Sequence, residues 1–127
     1  MTGPSVVAIG GGHGLSTVLE AMVERASSLV GVVSVADDGG SSGRIRRDLD
    51  IVAPGDMRRC LAALTPEGLM RDALEHRFEG GVLAGHPAGN VVLAAMLELE
   101  PDPVVVMDTL VEMVGARGRV LPATSVA

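Results

Sequence analysis

Two short stretches carry residue types that could bind or act on an anionic ligand. Residues 10–16 (GGGHGLS) follow an apolar run, and glycines at this density let a ligand approach the backbone closely. Residues 36–44 (ADDGGSSGR) combine adjacent carboxylates with glycines, hydroxyls and an arginine. Paired carboxylates can accept hydrogen bonds from sugar hydroxyls, hold a divalent cation or act as a base. The simpler alternative is a solvated turn, because Asp-Gly and Ser-Gly are common turn dipeptides.

The elements around these stretches predict an α/β fold with a parallel sheet. Residues 6–9 (VVAI) are typical of a strand, and apolar residues recur at helical spacing from Leu15 to Ala26. Residues 29–35 (LVGVVSV) predict a second strand whose continuous apolar character favours burial on both faces. Both polar stretches follow a strand, so we expect them at one sheet edge, with the first helix start facing a phosphate. Leu15 occupies the third glycine position of G-x-G-x-x-G, which disfavours an ordinary NAD(P) site.

The rest of the chain predicts further helices and one more strand. Asp56 is expected to cap a helix, and Thr65 with the following proline is expected to open the next one. Residues 85–90 (GHPAGN) predict a flexible loop that leads into an apolar helix. Asp102 with the following proline predicts the start of a last helix, and residues 118–124 predict the beginning of a strand. The sequence predicts few strands for its many helices, which indicates the N-terminal part of a longer domain. We therefore expect an unpaired sheet edge and apolar surface that are exposed to solvent.

Composition narrows the classes of function. The chain has 127 residues, within the usual size of one domain, and a net charge of −6, which disfavours a general nucleic-acid binder. All of its basic residues are arginines, so chemistry that requires a lysine is excluded within these residues. Cys60 is the single cysteine, and we expect it to be buried in a helix rather than to ligate a metal. No apolar run is long enough for a membrane span, and the sequence predicts a cytoplasmic protein.

Five motifs in this order resemble the YvcK/CofD-like family. That family contains bacterial gluconeogenesis factors and the 2-phospho-L-lactate transferases of coenzyme F420 biosynthesis. The matching segments are residues 9–16 (IGGGHGLS), 35–44 (VADDGGSSGR), 54–58 (PGDMR), 85–90 (GHPAGN) and 118–124 (GRVLPAT). The second and the last of these look more like the gluconeogenesis-factor branch. His13 stands where the family often has threonine.

The resemblance implies a Rossmann-like, CofD-type three-layer fold with a mostly parallel sheet, incomplete at its C-terminus. Residues 1–127 would be the N-terminal part of a single nucleotide-binding domain. The leading interpretation is a cytoplasmic, non-enzymatic regulator that binds a UDP-sugar and is needed for cell shape and envelope growth on gluconeogenic carbon sources. Its expected partners are regulators of cell-wall synthesis and a second copy of itself. The alternative is a Mg²⁺-dependent transferase that joins a phospholactyl group to a deazaflavin alcohol.

The resemblance also assigns site residues one by one. The proposed phosphate-facing turn comprises Gly10, Gly11, Gly12, Gly14 and Leu15. The same pocket is expected to include Asp37, Asp38, Gly39, Ser41, Ser42, Arg44, Asp56, Arg58, His86 and Asn90. Of these, Asp37 and Asp38 are the candidates for holding sugar hydroxyls or Mg²⁺. His86 lacks a second histidine or cysteine at metal-ligand spacing, which leaves hydrogen bonding or proton transfer as its functional alternatives.

Overall fold

The computed structural model of the protein describes residues 2–35 and 39–124. A three-stranded parallel sheet contains β1 (Ser5–Gly10), β2 (Ser28–Val33) and β3 (Arg119–Pro122), in the order β1-β2-β3. The predicted α/β class with a parallel sheet is therefore confirmed. The strand predicted over residues 118–124 is confirmed as β3.

Helices form most of the remaining structure in the described part of the chain. They are α1 (Gly12–Met22), α2 (Gly40–Leu49), α3 (Gly55–Leu64), α4 (Leu69–Glu75), α5 (Ala88–Leu99) and α6 (Pro103–Val114). A short 3-10 turn, Gly81–Leu83, lies between α4 and α5. None of the helices in residues 2–35 and 39–124 combines the length and the apolarity that a membrane crossing requires.

The core lies between one face of the sheet and the helices, with α1 and α3 packed closely against each other. Leu19 of α1 and Met57, Leu61 and Leu64 of α3 are fully buried. Leu19 fits because it faces Gly31 of β2, where an added Cβ would lie 2.8 Å from Leu19 Cδ1. Aliphatic side chains thus supply the core of a chain that has one aromatic residue, each contributing about 1.5–3 kcal/mol when fully buried.

The opposite face of the sheet is apolar and open. Val7 is 63% exposed and Ile9 is 79% exposed, and their neighbours Val30, Val32 and Leu121 are only partly buried. We call these five residues the open face. The expected exposure of apolar surface is confirmed, whereas the expected burial of the strands on both faces is wrong within the described residues, because the helices that contact the sheet cover its other side.

Two predicted helix starts differ from the structure. The helix expected to be capped by Asp56 has Pro54 as its N-cap, and Asp56 lies inside its first turn. Thr65 ends α3 instead of opening α4, because its hydroxyl donates back to the carbonyl of Leu61 at 2.7 Å. Next, α4 starts only after Gly68, whose φ of 149° breaks the helical path.

Other local expectations hold. Asp102 caps α6 by accepting a hydrogen bond from the backbone N–H of Val104 at 3.0 Å, and Gly115 ends the helix in a left-handed conformation. Cys60 is buried in α3, and this burial raises the pKa of its thiol to about 12. A thiol in this environment behaves as a small apolar side chain.

We expect the double substitution Val7→Thr, Ile9→Thr to reduce self-association while leaving the melting temperature nearly unchanged. Threonine keeps the β-branched shape that strands favour, and both positions face solvent. Sedimentation velocity over a concentration series measures the effect. The control, Val33→Thr, makes a similar change at a fully buried position and should destabilise the fold by about 1–3 kcal/mol. Equal self-association of the double variant and the unmodified chain would contradict a role for the open face.

Candidate functional site

Four helix starts lie close together in the structure. A Cβ added to Gly12 at the start of α1 would lie 3.2 Å from Asp56 Oδ1 in the first turn of α3. Arg58 of α3 packs against Gly89 in the first turn of α5. Asn90 of α5 in turn donates from Nδ2 to the hydroxyl of Ser41 in α2, at 3.1 Å. These contacts link the first turns of α1, α3, α5 and α2 into one continuous group.

The residues that precede these helices provide no side-chain cap. Their N-caps are Gly11, Gly39, Pro54 and Pro87, none of which has a side-chain oxygen to cap the helix. By contrast, α6 is capped by the carboxylate of Asp102. A helix start carries partial positive charge and exposes backbone N–H groups, so a cluster of such starts favours an anion.

A cavity of about 360 Å³ lies where α2, α3 and α5 begin. We call it the arginine cavity, because three arginines contribute to its wall. It is lined by Gly39, Gly40, Ser41, Ser42, Gly55, Arg58, Arg59, Arg77 and Asn90. Guanidinium groups bind phosphates and carboxylates through paired N–H donors, so the wall has the chemistry of an anion site.

Arg58 is a buried cation at the centre of this group. It is 3% exposed, and its Nη1 lies 3.6 Å from Glu75 Oε2. Burial lowers the pKa of its guanidinium, and the nearby Glu75 carboxylate acts in the opposite direction. Its Nε has no hydrogen-bond partner among the residues that the structure describes. Because a buried charge is costly unless it is fully paired, a bound anion would stabilise Arg58.

Gly89 allows α5 to approach Arg58. A Cβ at this position would lie 2.6 Å from the carbonyl oxygen of Leu74 and 2.7 Å from Cγ of Arg58. Neither distance is compatible with a side chain, so only glycine fits without a shift of the backbone or of Arg58.

Ser41, His86 and Asn90 form a hydrogen-bonded chain beside the cavity. Ser41 Oγ lies 2.5 Å from His86 Nδ1, and Asn90, which is 1% exposed, donates from Nδ2 to the same oxygen. With Asn90 as donor, the assignment that satisfies the chain directs the hydroxyl hydrogen of Ser41 to His86. Burial lowers the pKa of His86, as do Arg44 and Arg77, while Asp48 acts in the opposite direction. These effects favour the neutral imidazole that accepts from Ser41.

Two arginines hold the loop that carries His86. Arg44 Nη2 donates to the carbonyl of Ala84 at 3.2 Å, and Arg77 Nη1 donates to the carbonyl of Gly85. Gly85 has a φ of 81°, and a Cβ there would lie 3.0 Å from Arg44 Nη2. The backbone N–H of Phe78 also donates to the carbonyl of His86. The segment predicted as a flexible loop is therefore a hydrogen-bonded turn that positions His86.

A second cavity of about 300 Å³ adjoins the arginine cavity. It is lined by His13, Ser16, Thr17, Glu20, Arg59, Ala62, Ala63, Arg71 and Glu75. Arg59 belongs to the walls of both cavities. The two spaces therefore share one wall residue, an arrangement that suits a ligand with an anionic centre and a polar extension.

The structure brings together many, but not all, of the residues predicted for the site. The arginine cavity includes Gly39, Ser41, Ser42, Arg58 and Asn90. His86 contacts the cavity residue Ser41, and Arg44 donates a hydrogen bond to the loop before His86. Asp56 lies 3.9 Å from the guanidinium group of the cavity residue Arg59. Gly10, Gly11, Gly12, Gly14 and Leu15 do not line the cavity. The side chain of Leu15 is 5% exposed and packs in the core. A ligand contact of the turn stays a prediction.

The predicted carboxylate pair, Asp37 and Asp38, lies outside the described residues. Within residues 2–35 and 39–124 no three histidine, cysteine or acidic side chains are grouped as a metal site would require. Binding of Mg²⁺ by the two aspartates therefore stays a prediction.

One feature of the site differs from its prediction, and two others were not predicted. Gly40 and the residues after it were expected in a loop, but they form the first turns of α2. The burial of Arg58 was not predicted, and it arises because α5 packs over this residue. Arg77 was not predicted at all, since no motif marks it; only the turn of the chain between α4 and α5 brings it to the cavity.

We expect Gly89→Ala to lower the melting temperature and Gly14→Ala to raise it slightly. Both glycines lie in the first turn of a helix, but a Cβ at Gly14 meets nothing within 4 Å. Alanine should therefore stabilise the chain at Gly14 by about 0.4–1 kcal/mol and destabilise it at Gly89 by about 1–3 kcal/mol. Thermal unfolding followed by circular dichroism gives both values. Equal effects of the two substitutions would contradict the close packing between Gly89 and Arg58.

Comparison with known proteins gives the family. A family model described as "2-phospho-L-lactate transferase CofD" matches residues 6–127. A Mycobacterium tuberculosis protein named "Putative gluconeogenesis factor" is 52% identical over 127 residues, which cover 96% of this chain and 37% of that protein. The "Gluconeogenesis factor" of Bacillus subtilis is 43% identical over 124 residues, which cover 96% of this chain and 39% of that protein.

A solved structure agrees with the same assignment. The crystal structure of a Bacillus halodurans protein of the UPF0052 family superposes with a TM-score of 0.94 and 42% identity, covering 100% of this chain and 41% of that one. This chain therefore spans about two fifths of the length of the relatives it matches. From the match of the family model over residues 6–127, together with this likeness of sequence and fold, the chain belongs to the CofD family.

Proposed function

We propose that this chain binds the diphosphate of a nucleotide-linked sugar, with a UDP-sugar as the favoured ligand, as part of a gluconeogenesis factor. The observation that carries the proposal is the arginine cavity, where three arginines face the starts of α2, α3 and α5. A diphosphate diester supplies the negative charge that this wall can bind. In a nucleotide-linked sugar, the diphosphate carries a nucleoside on one side and a sugar on the other. These polar groups need space beyond the charged centre.

The second cavity supports the same ligand class. It adjoins the arginine cavity at Arg59 and includes the hydroxyls of Ser16 and Thr17 and the imidazole of His13. Both hydroxyls already donate to the carbonyl of His13, so they offer their lone pairs to a ligand rather than their hydrogens. Such acceptors suit the hydroxyls of a ribose or a hexose. The diphosphate would then lie at the arginines, and one sugar would lie beside α1.

The names of the relatives support a role as a gluconeogenesis factor. We propose that the protein acts in the cytoplasm and uses ligand binding to control partners in cell-wall synthesis, with effects on cell shape during growth on gluconeogenic carbon sources. The similar proteins of Mycobacterium tuberculosis and Bacillus subtilis both carry the gluconeogenesis-factor name. Saturable binding without turnover is the behaviour expected of such a regulator.

We expect UDP-N-acetylglucosamine to bind this chain, and we expect Arg59→Gln and Arg77→Gln each to weaken binding about tenfold or more. A hydrogen bond to a charged group contributes about 1.5–3 kcal/mol, and glutamine removes the charge while keeping much of the length. Isothermal titration calorimetry with and without Mg²⁺ measures the affinity. The matched control is Arg117→Gln, because the Arg117 side chain is 42% exposed against 43% for Arg59, but it lies outside the arginine cavity.

Each outcome of the titration has a definite meaning. Weaker binding in the two cavity variants, with normal binding in Arg117→Gln, would support the arginine cavity as the site. Equal weakening in all three would indicate a general charge effect and would contradict the proposal. Absence of binding by a chain with native circular dichroism would also contradict it for this chain.

The description of the family model favours a second candidate, a Mg²⁺-dependent transferase of a phospholactyl group. In that case Asp37 and Asp38 would hold the metal. Incubation with a phospholactyl donor, a deazaflavin alcohol and Mg²⁺, followed by chromatography, would then give a product that Asp37→Asn, Asp38→Asn abolishes. Ligand binding with no product under these conditions favours the regulatory role.

A further inference from the structure

We propose that His86 regulates the anion affinity of the arginine cavity by switching the hydroxyl of Ser41 between two hydrogen-bond directions. In one state the Ser41 hydrogen points to His86, and in the other it points to a bound anion. This inference rests on the proposed function, because it concerns the regulation of the same cavity.

The heavy atoms already have the positions that both states require. Ser41 Oγ lies 2.5 Å from His86 Nδ1 and 3.1 Å from Asn90 Nδ2. Ser41 and Asn90 also line the arginine cavity, whereas His86 stands behind Ser41. A change of protonation at His86 therefore acts on the cavity through one hydroxyl group. No movement of the backbone is needed.

With His86 neutral and its hydrogen on Nε2, the donors of the chain formed by Asn90, Ser41 and His86 are already used. Asn90 Nδ2 donates to Ser41, and Ser41 donates to the unprotonated Nδ1 of His86. The second lone pair of Ser41 Oγ then remains for the cavity. An anion that approaches Ser41 meets an acceptor rather than a donor, which opposes binding.

With His86 protonated, the direction of its hydrogen bond reverses. Nδ1–H now donates to Ser41 Oγ, and the hydroxyl hydrogen is released from His86. Ser41 accepts from both His86 and Asn90 and donates to the anion, so that its one donor and two acceptor positions are all used. Hydrogen bonds to ionised groups are stronger than those between neutral groups, so this state favours the anion.

The charges around His86 couple its protonation to the presence of an anion in the arginine cavity. Arg44 and Arg77 lower the pKa of His86, in addition to its burial, and Asp48 raises it. An anion in the cavity that Arg77 lines would offset this repulsion and raise the pKa of His86. By linkage, a group whose pKa rises on binding strengthens binding as the pH falls through its bound pKa. Binding therefore takes up a proton, and affinity is higher in mild acid.

The test measures the affinity for UDP-N-acetylglucosamine and for sulfate between about pH 5.5 and 8, the range in which histidine titrates. Both ligands keep their anionic charge across this range, so a pH effect belongs to the protein. We expect affinity to rise several-fold towards the acidic end. Calorimetry in two buffers of different ionisation enthalpy counts the protons taken up. The histidine resonances in NMR spectra should give a higher pKa for His86 in each complex.

Three variants separate the switch from a structural role. His86→Asn keeps an amide near the position of Nδ1 but does not titrate, so it should bind without pH dependence. Ser41→Ala removes the link, so His86 still titrates while its effect on affinity falls. His76→Asn, at an exposed position that does not line the cavity, should retain the pH dependence of the unmodified chain.

The outcomes distinguish this inference from the proposed function. Binding of the UDP-sugar with no proton uptake and an unchanged pKa of His86 overturns the inference and leaves the proposed function standing. Failure of the UDP-sugar to bind, with sulfate still raising the pKa of His86, contradicts the proposed ligand and supports the switch. If neither anion changes the pKa of His86, the inference is wrong.

Discussion

The contact between Arg58 and Gly89 is the constraint on which the rest of the site depends. An arginine side chain that is 3% exposed needs neighbours that pack on its methylene groups, and α5 can supply them only through a residue without a Cβ. That approach places Asn90 next to Ser41 and thereby joins α5 to α2. A single close contact thus sets the spacing of three helix starts. The cavity is the space that remains between them.

The sequence predicts well those features that local chemistry decides. Asp102, followed by proline, starts a helix, and Gly115 ends it, because capping depends on a few neighbouring residues. Continuous apolar runs predicted the strands correctly, because such runs are typical of the strands of a parallel sheet. In the same way, the glycine-rich and acidic motifs led to a family whose fold the structure matches.

The sequence fails where contacts between distant segments decide the outcome. Thr65 has the residue type of a helix start, yet its hydroxyl returns to the preceding helix, and both arrangements satisfy the same local preferences. The loop prediction failed at Gly40 because glycine and serine favour turns, while packing against α5 holds them in a helix. Prediction and structure differ most at Arg77 and Arg58. A residue's burial, or its place in a cavity wall, depends on neighbours that are distant in the sequence.

The overall charge of the chain and the charge of the site have opposite signs, and distance decides which one a ligand experiences. The chain carries a net charge of −6, but acidic residues near the cavity, such as Glu75 and Asp56, are already paired with Arg58 and Arg59. Solvent and salt screen the remaining acidic groups over about 8–10 Å, whereas helix starts and guanidinium groups act by direct hydrogen bonding. A small anion that enters the cavity therefore meets local donors. A large polyanion in contact with the whole surface would meet the unfavourable net charge.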